Sequence, residues 1–149
     1  MRVIICVLVV FVGFFTTASA QSSRLADFQQ LRTFRCDFTE SEGRRTSAAG
    51  VTTSANRETF SDLVVDNVDY RRNTARFIGN AGSEDVSVID GRLLVTFIEV
   101  SLTGNVNILS IVKTTASLVS YRAVYSRHSA LTTGDVTISQ SYGTCRGLL

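Results

Sequence analysis

The sequence predicts an all-β protein, an antiparallel meander of roughly seven to nine strands forming a small closed or nearly closed barrel. Three observations carry this expectation. Beyond Leu31 no segment holds a helical period for about ten residues, and apolar side chains recur at every second position instead. Turn-forming Gly, Asn and Asp punctuate the chain about every 8–12 residues, which favours short links between neighbouring strands. A cysteine stands near each end of the expected domain, Cys36 and Cys145, and a closed meander places its first strand beside its last.

The N-terminus reads differently. Arg2 precedes an apolar run of about 13 residues from Val3 to Phe15, too short for the ~20 that span a bilayer, and Ala18-Ser19-Ala20 follows with small residues at both recognition positions. This predicts a signal peptide over residues 1–20 and a single domain over 21–149, secreted or periplasmic and without a membrane span once the signal is removed. Cleavage takes away Arg2 and lowers the formal charge from +2 to +1, which gives no long-range electrostatic reason to expect nucleic acid as partner. Cleavage also removes Cys6. The remaining Cys36 and Cys145 are expected to form a disulfide in an oxidising compartment.

The elements follow in order. Leu25, Phe28 and Leu31 are spaced for a short N-terminal helical turn. Phe34, Cys36 and Phe38 share one face of the first strand. Ala48 to Thr59, rich in Ser, Thr and Ala, reads either as a flat edge strand or as a long loop. Leu63 to Val68 forms a strand, and Arg71-Arg72-Asn73-Thr74 turns it into a return strand through Ala75 and Phe77, which Gly79 to Gly82 breaks. Val86, Val88 and Ile89 come next, and Asp90-Gly91 predicts a two-residue type I′ hairpin turn. Leu93 to Ile98 is the most apolar segment and is expected to be a central strand with both faces at least partly covered. Thr103-Gly104-Asn105 leads into Val106 to Val112, Thr114 to Ser117 is a softer loop, and Val119, Tyr121, Ala123 and Tyr125 alternate. Thr133-Gly134-Asp135 makes the last turn before Val136, Ile138 and Tyr142 on the closing strand. Cys145 is out of step with those three, so a bulge near Gly143, or an end to regular pairing there, is expected.

Candidate functional residues are few. Glu99 continues the face of Leu93, Val95 and Phe97 and points to the barrel interior or its rim, where a carboxylate needs an arginine partner or a raised pKa. Tyr121 and Tyr125 share a face and either stack a ligand or fill the core. His128 is the sole histidine; with Asp135 and many serines it has no triad signature around it. Asp66 to Asp69 and Ser83 to Asp85 lack the spacing of a calcium loop. Two cysteines and one histidine cannot close a four-ligand zinc site without carboxylates. No cofactor or metal is expected.

The run Asp69 to Asn105, with Thr74-Ala75-Arg76-Phe77-Ile78-Gly79-Asn80-Ala81-Gly82 and Leu94-Val95-Thr96-Phe97-Ile98-Glu99, together with the closing Ser139-Gln140-Ser141-Tyr142-Gly143-Thr144-Cys145, resembles an uncharacterised family of small secreted bacterial β-sheet proteins. The topology, with one cysteine in the first strand region and one near the end, is also similar to the small periplasmic inhibitors of lysozyme. From the all-β pattern, the expected disulfide and the absence of catalytic motifs, the function is expected to be non-enzymatic binding of an apolar small molecule or of a protein. The alternatives are a small hydrolase or isomerase using Glu99 or His128, an inhibitor of a cell-wall lytic enzyme, and a purely structural envelope role.

Overall fold

The computed structural model describes residues 28–56, 59–79, 82–113 and 120–149. The expected signal peptide, Leu25, the Asn80-Ala81 turn, the Thr114–Ser117 loop and Val119 lie outside the described residues. Nine strands follow in chain order: β1 (Thr33–Ser47), β2 (Gly50–Asn56), β3 (Phe60–Asp69), β4 (Thr74–Gly79), β5 (Gly82–Asp90), β6 (Leu94–Val100), β7 (Val106–Val112), β8 (Tyr121–Ala130) and β9 (Val136–Leu148). From β3 to β9 each pairs antiparallel with its neighbour, and β9 returns to β1 along almost its whole length, so eight strands close a barrel. Closure removes the exposed edges an open sheet would present.

β1 is longer than the barrel. One side of it pairs with β9; the other pairs with β3 through Phe34 to Phe38 and then with β2 through Ser41 to Ser47. The upper parts of β1 and β9, with β2 and the end of β8, thus form a flap of sheet standing above the barrel. Within the undecided Ala48–Thr59 segment, Gly50–Asn56 forms β2, an edge strand. At the rim, Gly104 and Gly134 sit at φ 81° and 84°, where glycine carries no Cβ penalty. They close two matching turns, Ser101 N to Asn105 O and Leu131 N to Asp135 O.

Period-two alternation puts Phe34, Cys36, Phe38, Val65, Val95, Phe97, Leu109 and Ile111 inside, where all are essentially inaccessible to water. Each such large side chain contributes on the order of 1.5–3 kcal/mol on burial. Phe34 meets Phe97 at 5.9 Å and Phe38 stacks on Phe60 at 4.9 Å. At the base, the turn in which Leu31 N bonds to Phe28 O (3.1 Å) seats Phe28 under the barrel, edge-on to Tyr121 at 5.0 Å. Cys36 and Cys145 are direct partners in the β1–β9 ladder, with Cα atoms 4.0 Å apart and their sulfurs bonded.

The expected bulge near Gly143 is present, with its extra residue on β1: Phe38 opposes Gly143 and Glu40 opposes Tyr142, leaving Thr39 as the extra residue. The bulge brings the strands so close that a Cβ on Gly143 would lie 2.0 Å from Asp37 O. Two other sequence expectations need correction. β9 itself runs without a register shift, so its even residues face out and Val136, Ile138 and Tyr142 are exposed rather than inside. The Asp90-Gly91 pair does not make a two-residue turn. Asp90 pairs with Val95, Gly91 N bonds to Leu94 O, and Gly91 has no positive φ, so the link is longer and Leu93 and Leu94 are exposed. Lys113 N takes the Leu93 carbonyl at 2.8 Å, which holds this link in its observed path.

Candidate functional site

The four residues singled out from sequence are not gathered in one place. Glu99 and Tyr125 belong to the inward-facing set at the rim. Glu99 pairs across the sheet with Asn107 and Asn107 with Arg127. These three form a ladder in which Arg127 Nε donates to Asn107 Oδ1 (3.1 Å) and Asn107 Nδ2 donates to Glu99 Oε2 (2.7 Å). Tyr125 lies just below, its pKa raised by burial against the opposing influence of the neighbouring Arg127. Glu99 therefore has its partners within the protein. Tyr121 sits at the opposite end, packed on Phe28. His128 is on the outward face, paired with Val106 and Ile138. Glu99 and His128 thus occupy opposite faces of the sheet.

Around His128 the register assembles an apolar surface. Val100, Val106, His128 and Ile138 form one outward row across β6 to β9. Ile98, Ile108, Ser126 and Gln140 form the next, and Ala130 and Val136 extend the surface towards the rim. Val100, Val136 and Ile138 are 66%, 45% and 40% exposed, while Ile98, Val106 and Ile108 are half-buried by their neighbours. Contiguous apolar surface is a commoner feature of interaction surfaces than singly exposed apolar residues are. The surface runs onto the flap, where Glu42, Arg44, Thr53, Ile138 and Gln140 line a depression of about 320 Å³. Tyr142 bounds it, donating its hydroxyl to Glu42 Oε1 at 2.7 Å. That bond holds the phenol pKa above its usual value.

A second concavity, about 690 Å³, lies at the base between Gln29, Arg32, Val68, Asp69, Tyr70, Arg71 and Asp90. Its charges are mostly committed. Lys113, buried under Phe28, pairs with Asp90, which also accepts from Gln29 Nε2 at 3.0 Å. Arg32 donates to the Val68 carbonyl at 3.2 Å and lies over the Tyr70 ring. Asp69 Oδ1 caps the turn through the amides of Arg71 and Arg72 (2.9 and 3.0 Å). The Tyr70 hydroxyl is buried without a partner among the described residues, and burial drives its pKa well up. These groups come from four distant segments, so periodicity could not reveal them; the one cue was Lys113, the sole lysine.

Chemically, the outward face can desolvate an apolar partner and places one imidazole, that of His128, in its midst. Among the described residues no group of three His, Cys, Asp or Glu side chains is placed to hold a metal ion. Compared with family models, with curated proteins and with solved structures, the chain finds no match.

Proposed function

We propose that this is an exported, non-enzymatic binding protein that offers the outward face of β6 to β9, centred on His128 and Ile138, to another exported protein. The contiguity of that apolar face carries the reading: its rows are fixed by backbone register and it continues into the flap depression. Packing favours a protein over an apolar small molecule, since phenylalanine, leucine and valine side chains fill the barrel interior. A hydrolase or isomerase built on Glu99 and His128 has no support in their placement on opposite faces. A cell-wall lytic enzyme, the target class that the sequence resemblance to small periplasmic lysozyme inhibitors would imply, is among the candidates.

Site-specific photocrosslinking tests this. A photoreactive residue replacing Ile138, in the mature protein mixed with the extracytoplasmic proteins of its source, is expected to yield a covalent adduct with a discrete second protein. The same group replacing Glu84, exposed on β5, is expected to yield none. Equal labelling from both positions, or none from either, overturns the proposal.

A further inference from the structure

We propose that β2 is the contact strand of a twofold dimer, two copies of this chain pairing antiparallel through Gly50–Asn56. This inference does not depend on the partner-binding role of the outward face.

Among the described strands β2 hydrogen-bonds only to β1. Alternate N–H and C=O groups along it therefore point away from the sheet, a ready template for another strand. Edges in monomeric proteins are commonly guarded by lysine, proline, an inward charge or a bulge. β2 has none of these: it reads Gly-Val-Thr-Thr-Ser-Ala-Asn, and its pairing with β1 is regular over all seven positions. The flap also holds it clear of the closed barrel wall.

The occupant that suits such an edge is the edge itself. Antiparallel pairing about Thr53 sets Thr53 opposite Thr53, Thr52 opposite position 54, a serine, and Val51 opposite position 55, an alanine. Every pair is uncharged, so the like-charge penalty that a repeated edge usually suffers is absent, and threonine opposite threonine or serine is a favourable cross-strand match. A twofold axis normal to the sheet leaves side chains on the faces they already occupy. Val51 is 64% exposed. The product is one sheet, β9-β1-β2-β2-β1-β9, with the barrels at opposite ends. A C2 interface of this kind is self-complementary by construction.

The test is sedimentation velocity on the mature, oxidised protein over a dilution series. Wild type is expected to sediment at twice the protomer mass when concentrated and to dissociate on dilution. Thr53→Lys and Thr53→Glu each place like charges across the axis and are expected to weaken the dimer by about tenfold or more, with unchanged circular dichroism. Mixed one to one, the two variants are expected to restore it as a heterodimer. Hydrogen exchange on the unmodified protein supplies a readout independent of substitution: amides 50–56 should slow as concentration rises, while those of β5 should not. A wild type that stays monomeric at every concentration, a dimer whose 50–56 amides exchange unchanged, or variants that dimerise like wild type would each overturn the proposal.

Discussion

Below the Thr39 bulge, β1 and β9 keep their apolar residues inside except for Leu148, which ends β9 exposed; above it, the same two strands turn them outside. In the lower half Phe34, Cys36, Phe38 and Cys145 are inaccessible, and Arg35, Thr144 and Arg146 face water. In the upper half the inward positions are Ser41, Gly43, Ser139 and Ser141, and the outward ones include Val136, Ile138 and Tyr142. The difference separates two tasks carried by continuous strands. The lower half earns the fold its stability through buried side chains and a covalent tie. The upper half is an extension with nothing apolar to enclose, so its apolar residues are free to meet another molecule. Substitutions in the two halves should therefore diverge: loss of stability below, loss of association above.

The largest effect should come from the covalent tie. Replacing Cys36 and Cys145 together by alanine removes a link between residues 109 apart, and the chain-entropy treatment gives about 4–5 kcal/mol for a loop of that length; urea unfolding of the oxidised and substituted proteins measures it. Next, Asp90→Ala leaves the Lys113 ammonium, whose side chain is 4% exposed, buried without its carboxylate. Breaking a buried pair from one side costs about 3 kcal/mol at the lower end of its range, and that end applies because Asp90 is partly in water. Gly143→Ala forces a methyl against the Asp37 carbonyl and Phe38 Cα, neither of which can rotate away, and should lower unfolding stability by about 1–3 kcal/mol.

Above the bulge, Ile138→Asp should stay within about 0.5 kcal/mol of wild type yet abolish the crosslinked adduct formed from a photoreactive group at His128. An Ile138→Asp protein as unstable as Asp90→Ala would erase the division between halves. The smallest effect is electrostatic. The Arg72 amide, helped by that of Arg71, holds the Asp69 carboxyl below its ordinary 3.8 against the opposing effect of burial. A group whose folded pKa is lowered supports stability above its unfolded pKa and loses that support as pH falls through the folded one. Asp69→Ala should accordingly shallow the acid limb of the stability profile below pH 3.8 and leave the neutral plateau's shape unchanged.

The barrel was readable because alternation, turn residues and two cysteines all favoured it. β9 shows where that reading runs out. Val136, Ile138 and Tyr142 alternate as well as any core strand, and alternation fixes which residues share a face without saying which face is inside. The residues that do face in, Ser139, Ser141 and Gly143, carry no apolar signal, and only the parity of Cys145 marked them. Asp90-Gly91 misled for a related reason: a dipeptide suited to a tight turn was overruled by the pairing of Asp90 with Val95 and the hold of Lys113 on Leu93. His128 stood out from sequence only by being unique. Its place in an apolar row depends on the register of four strands, which one strand's sequence does not encode.

The return of β9 to β1 also sets the timing of folding. The first strand emerges from synthesis long before the strand it must lie against, and without β9 the edges of β1 and β8 would both lack the partner they have in the closed barrel. Contacts between the two ends of a chain form late and slowly. Until then the sheet is exposed to mispairing, and an oxidant that reached Cys36 early would find no correct mate. A chaperone that shields β1 until the last dozen residues arrive would therefore raise the yield of native barrel more than one that acts on any interior hairpin.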